Sequence, residues 1–222
     1  MFELYLDTAD LGAIREIGGR VSLAGVTTNP KIIAASGLSF EAAMSGICEL
    51  LEPEQKLFAQ VIATDVDGII ADARAIAALR PANAIPKIPV TSAGLAAIKR
   101  LAGEGMEVLA TAIYDADTAF AAALNGAAYL APYVNRMCNL GDGIAEVCEL
   151  IEMLAIQGMD AKVLAASFKN ANQVHQLILN GCPAATLPPD VCRAFAYNPY
   201  SEAATEEFGQ AWEQAFGRTT LR

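Results

Sequence analysis

Eight short apolar runs, each followed by a stretch of helical periodicity, constrain this chain more than any other feature. The runs are Glu3–Asp7, Leu23–Thr27, Leu57–Ala63, Ala84–Val90, Val108–Ile113, Tyr129–Val134, Lys162–Ser167 and Ala184–Pro188. Amphipathic segments lie among them at Leu11–Gly18, Ile32–Ala35, Phe40–Leu51, Val66–Ala78, Ser92–Ala102, Asp115–Leu124, Asp142–Ile156, Asn172–Leu179 and Pro189–Phe195. Asp10, Ser39, Ser92 and Asp115 stand where N-caps belong, and Gly105, Gly126 and Gly181 follow helices. Strands alternating with helices mean βα units on a parallel sheet. Some eight units in 222 residues is the count of a closed (β/α)8 barrel with short loops. An open doubly wound sheet would carry fewer strands and a glycine-rich phosphate loop. No such loop occurs, and "GEG" at 103–105 closes a helix instead of opening one. With no linker or low-complexity stretch, residues 1–222 are expected to form one domain. A further helix, about 201–217, follows the eighth unit. Its Phe208, Trp212 and Phe216 recur every fourth residue, so this face must bury itself on the barrel or on another subunit.

Composition removes several functions. A net charge of −10 and a pI near 4.6 argue against a broad nucleic-acid-binding face. An anionic substrate would need a local basic pocket. Although 54% of residues are hydrophobic, no apolar run reaches the ~18 residues a membrane-spanning helix needs. The opening "MFELYLDTAD" has acids and no basic n-region, so no signal peptide is expected. Five cysteines, odd in number and without CxxC spacing, point to reduced thiols and a cytoplasmic protein. The single histidine, His175, falls in a helical segment, leaving no histidine pair for a metal and no histidine to activate a nucleophile. Neither metal nor cofactor is expected.

In a barrel of this kind the active site lies at the C-terminal ends of the strands. Strand one ends in Asp7, and strand two runs into Thr27, Thr28 and Asn29. Strand three carries Gln60, strand four Lys87 and strand five Thr111. Strand six carries Tyr133, followed by Asn135 and Arg136. Strand seven ends in Ser167, with Lys169 close behind, while strand eight ends in the apolar "TLPP". Several of these have plain structural readings. Asp7 could cap the first helix, Thr27 and Thr28 could close turns, and Gln60 and Thr111 could satisfy each other. Lys87 is harder to dismiss, because a lysine inside an apolar strand is rarely buried without a partner and has no surface to snorkel to except the barrel mouth. Burial lowers a lysine pKa, and a neutral amine adds to a ketone or aldehyde to give a Schiff base. That chemistry needs a base (Asp7), a proton relay (Tyr133 with Gln60 and Thr111) and anchors for hydroxyls (Asn29, with Thr27 beside it). Arg136, Ser167 and Lys169 would supply a local phosphate site.

The segments "LYLDTAD", "LAGVTTNP", "LFAQV", "KIPVTSAGLAAIK", "TAIY", "APYVNR", "VLAASFK", "TLP" and "WEQAFGR" resemble, in order and along essentially the whole chain, the small bacterial transaldolase-like proteins. This is a class I aldolase family that holds aldolases acting on fructose 6-phosphate as well as true transaldolases. The resemblance implies a Schiff base between Lys87 and dihydroxyacetone, with Asp7, Asn29 and Thr111 around the dihydroxyacetone part and Arg136 and Ser167 at the phosphate. Transaldolases of the family carry Glu at the position of Gln60 and Phe at that of Tyr133, so "FAQV" and "APYV" follow the aldolase pattern. Relatives form decamers of two pentameric rings, which implies a homo-oligomer with the C-terminal helix on a neighbour. Two departures stand out. Pro86 precedes the lysine where relatives have Val, so strand four needs either a bulge or a stretch unpaired on one side. "MCNLGDG" after Arg136 replaces a loop one residue longer with an Asp. Three readings stay open: an aldolase cleaving fructose 6-phosphate, a transaldolase, and a non-catalytic phosphosugar-binding barrel.

Overall fold

The computed structural model describes residues 2–222. Eight parallel strands close in sequence order into a barrel, with β8 returning to β1. The order is β1 (Glu3–Asp7), α1 (Leu11–Gly18), β2 (Gly25–Thr27), α2 (Pro30–Ser36), α3 (Phe40–Leu50), β3 (Lys56–Gln60), α4 (Val66–Leu79), β4 (Ala84–Pro89) and α5 (Ser92–Gly103). There follow β5 (Leu109–Ile113), α6 (Ala116–Leu124), β6 (Tyr129–Pro132), α7 (Val134–Cys138), α8 (Gly143–Ile156), β7 (Lys162–Ala165), α9 (Ala171–Leu179), β8 (Ala184–Leu187), α10 (Pro189–Ala196) and α11 (Pro199–Phe216). All eight expected strands and all expected helices are present. Four local expectations are corrected. Strand six stops at Pro132, and Tyr133 to Cys138 turn into the short helix α7, with Tyr133 bridged to Ala166. The α5 cap is Thr91, whose hydroxyl accepts from the Gly94 N–H at 3.0 Å, and Ser92 is the first helical residue. Asp7 does not cap α1, because Asp10 accepts from the N–H groups of Gly12 and Ala13. Gln60 and Thr111 share no hydrogen bond among the described residues; Thr111 donates to the Tyr133 hydroxyl instead.

The barrel interior is filled in layers. Tyr5, Phe58 and Tyr129 meet edge to face, with ring centroids 5.3 and 5.2 Å apart, contacts worth about 0.5–1.5 kcal/mol each beyond burial. Ile85, Leu109 and Leu164 complete this apolar layer. Below it, the N-terminal end is closed by polar groups. Lys162 reaches Glu3 at 2.6 Å, Tyr5 donates to Glu3 at 2.8 Å, and Lys56 donates to the Tyr129 hydroxyl at 2.6 Å. Burial alone would raise the Glu3 carboxyl, but the bonds from Lys162 and Tyr5 outweigh it and hold it below the ordinary carboxylate range. The polar residues that remain point to the opposite, C-terminal mouth.

The two prolines of β4 fit its ladder without a bulge. Along the strand, backbone groups bond alternately to β3 and to β5. The Asn83 and Lys87 carbonyls accept from Leu57 and Val61 on the β3 side, and the Val90 N–H donates to Thr111 on the β5 side. By that alternation the missing N–H of Pro86 faces β5, whose pairing with β4 begins only at Lys87 opposite Leu109. The missing N–H of Pro89 faces β3, which ends at Gln60 opposite Lys87. Each proline thus lacks a donor just where the neighbouring strand has not begun or has finished. Strand four is unpaired on one side at Pro86, and the register shift of the barrel lies elsewhere, between β5 and β6.

Candidate active site

Lys87 is 3% exposed and sits on the inner face of β4, two residues above the apolar Ile85. Proline fixes its own φ and drives the preceding residue to extended geometry, so Ile85, Pro86, Ile88 and Pro89 all stiffen the backbone around the lysine. The amine has no hydrogen-bond partner and no ion pair among the described residues. Burial pushes it below the ordinary lysine range, with the Asp7 charge opposing that shift. Asp7 shows the mirror case. Burial raises its carboxyl, while Lys87 and the Thr27 hydroxyl pull it down. Each group therefore makes the charged form of the other less costly without closing into an ion pair.

Gln60 lies beside Lys87 in the β3–β4 register. Thr111, fully buried, lies beside Pro89 across β5 and donates to the Tyr133 hydroxyl at 3.3 Å. Thr27, also fully buried, donates to Asp7 Oδ1 at 2.5 Å. Asp7, Thr27, Gln60, Lys87, Thr111 and Tyr133 thus form one arc around the mouth. Asn29 stands at its edge as the N-cap of α2, its Oδ1 accepting from the Ile32 N–H at 3.0 Å, which leaves the amide nitrogen to donate elsewhere.

Arg136 lies across the Tyr133 ring with its guanidinium carbon 4.6 Å from the centroid, and it donates to the Tyr114 hydroxyl at 2.6 Å. Ser167 adopts the left-handed backbone region at φ 62°, and its carbonyl accepts from the Asn135 N–H at 3.0 Å, next to Arg136. A non-glycine residue held there costs about 1–2 kcal/mol, a strain that clusters at functional sites. Lys169 is exposed; its backbone N–H is held by Gln173, and its side chain meets neither Arg136 nor Ser167. The exposed His175 lies on α9, away from this constellation. Two contributors were not singled out from sequence. Tyr114 follows strand five with nothing in its spacing to mark it. Thr186 was hidden in the apolar "TLPP", yet it is 1% exposed and its hydroxyl is 2.7 Å from Thr27 Oγ1. Only its alternate position along β8, in phase with Ala184, could have indicated an inward side chain.

A closed (β/α)8 barrel with its inward polar groups gathered at the C-terminal mouth is the architecture of the barrel enzymes. More specifically, a family model described as transaldolase/fructose-6-phosphate aldolase matches residues 4–220, and the chain belongs to that family. Solved structures share the fold at low identity. A designed, cube-shaped, highly porous protein cage made by fusing symmetric oligomeric domains is 18% identical over 97% of this chain and 78% of its own, with a TM-score of 0.62. A structure described as native KDPGal is 18% identical over 92% of this chain and 96% of its own, with a TM-score of 0.56. The BexX/CysO complex of Amycolatopsis orientalis is 19% identical over 92% and 91%, with a TM-score of 0.62.

Proposed function

We propose that this member of the family is a metal-independent class I aldolase that reversibly cleaves fructose 6-phosphate to dihydroxyacetone and glyceraldehyde 3-phosphate. The observation that carries the reading is Lys87, a buried and unpartnered amine facing Asp7 within a ring of hydroxyl and amide groups. The neutral amine adds to the ketose carbonyl, and loss of water leaves an iminium. Asp7 then takes the proton of the substrate's C4 hydroxyl, and the C3–C4 bond breaks with its electrons drawn into the iminium. Glyceraldehyde 3-phosphate departs, leaving an enamine on Lys87. The Tyr133 phenol, bonded to Thr111, and Gln60 beside Lys87 support protonation of that enamine at carbon; water then displaces dihydroxyacetone and restores the amine. Asn29 and Thr27 suit the dihydroxyacetone hydroxyls. Arg136, and Ser167 whose carbonyl accepts from the neighbouring Asn135 N–H, suit the phosphate, with Lys169 a more distant part of its field.

The family description also covers transaldolases, which would hold the enamine for a second aldehyde. Incubation with fructose 6-phosphate alone decides between them. Turnover of free glyceraldehyde 3-phosphate supports the aldolase, whereas release that depends on added erythrose 4-phosphate makes the protein a transaldolase. Borohydride reduction with dihydroxyacetone, followed by peptide mass spectrometry, tests the shared step: absence of an adduct on Lys87 defeats both and leaves a sugar-phosphate-binding barrel. We further propose that the working form is a homo-oligomer, a decamer of two pentamers by the resemblance above. In support, α11 buries none of its residues on its own barrel and leaves Phe208 and Phe216 exposed.

A further inference from the structure

We propose that Thr186, on β8, is a positioning residue for Asp7: its hydroxyl donates to Thr27 Oγ1 and so commits the Thr27 proton to the Asp7 carboxylate. A threonine hydroxyl has one hydrogen to give and two lone pairs to fill. Thr27 lies 2.5 Å from Asp7 Oδ1 and 2.7 Å from Thr186 Oγ1. An ionised carboxylate only accepts, so Thr27 spends its proton on Asp7 and can meet Thr186 solely as an acceptor. Thr186 must then be the donor. Both threonines are buried, and Thr186 has no other partner among the described residues, so leaving this bond unmade would cost free energy. A chain of donors each polarised by the next strengthens the bond on the charged end. Of the charged groups, only Lys87 from β4 acts on Asp7; β2 and β8, which flank β1, present hydroxyls. The other charged groups named inside the barrel, Glu3, Lys56 and Lys162, lie at its opposite end. After burial and Lys87, the hydroxyl chain is the remaining influence on the carboxylate, and it closes the barrel seam across β8, β1 and β2.

The catalytic consequence rests on the reading of Asp7 as base, and the experiment separates the two. Thr186→Val keeps the shape and removes the hydroxyl; Thr186→Ser restores it. With the aspartate carboxyls labelled with carbon-13, the Asp7 resonance of Thr186→Val is expected to titrate at higher pH than in the parent, and that of Thr186→Ser to return. Thermal melting confirms that both variants are folded. An Asp7 titration unchanged in folded Thr186→Val, or not rescued by Ser, overturns the proposal. If Asp7 is the base, the acidic limb of kcat/KM moves upward with the resonance, and kcat at neutral pH falls about three- to tenfold with little change in KM. A shifted resonance with an unmoved acidic limb keeps the Thr186 assignment and removes Asp7 from its role.

Discussion

At the scale of single residues, Lys87 is a point of instability inside the barrel. A buried amine held below its usual pKa means that the unfolded chain binds more protons than the folded one, from the folded value up to about 10.5. Stability contributed by this group thus rises with pH through that window. Lys87→Met is expected to abolish the borohydride-trapped adduct while stabilising the fold by about 1 kcal/mol near neutrality, an advantage that closes as pH approaches the ordinary lysine value. Urea denaturation at several pH values checks it, and a destabilised Met variant would show that the amine is already compensated. Asp7 opposes the fall of the lysine pKa, so Asp7→Asn should lower that pKa further. Adduct formation with dihydroxyacetone in Asp7→Asn is then expected to rise at lower pH than in the parent; the pH dependence of trapping measures it. Lys87 was legible in the sequence because a charge in an apolar strand contradicts its surroundings. Thr186 was not, since a threonine before Leu and Pro contradicts nothing. Lys169 is near Ser167 along the chain, and the turn after β7 carries it to the surface.

The elements were legible wherever periodicity and caps agreed, as in β1 and α1, which the sequence bounds to the residue. They were not legible where two local signals competed. The run Tyr129–Val134 reads as one strand, yet the strand ends at Pro132 with a lone bridge from Tyr133 to Ala166 beyond it, and the chain coils into α7, which brings Arg136 back over Tyr133. Element packing also fixes the lysine. The Pro89 carbonyl accepts from the Thr91 N–H at 2.8 Å, and a Cβ on Gly94 would stand 1.9 Å from that same oxygen. The absence of a side chain lets α5 sit directly on the end of β4. Gly94→Ala must push the helix or the strand aside and is expected to cost about 1–3 kcal/mol of stability. Because the strand end moves, kcat should fall by more than tenfold even where the adduct on Lys87 still forms. A folded Gly94→Ala variant with parental kcat would mean that this contact does not align the amine.

For the whole molecule, α11 is the element that the barrel does not explain. It is an 18-residue helix with no buried residue, carrying Tyr200, Phe208 and Phe216 more than half exposed, and its Trp212 ring nitrogen is enclosed without a partner among the described residues. The fourfold spacing of this face asks for burial, and its own barrel does not supply it. If the proposed oligomer uses this face, Phe208→Ser together with Phe216→Ser is expected to give smaller species in sedimentation velocity while leaving the far-ultraviolet spectrum barrel-like. An unchanged sedimentation coefficient would place the subunit contacts elsewhere. The closure of the barrel also gives the prolines of β4 a second meaning. Eight like strands can in principle pair out of step, and a strand slipped by two residues keeps its inward face and so passes the hydrophobic test. Here a slip in one direction presses the ring of Pro86 against a carbonyl of β5, and the alignment of Pro89 against β3 sets a similar stop. The pair works as a gauge, accepting one alignment of β4 and rejecting its neighbours before the barrel shuts.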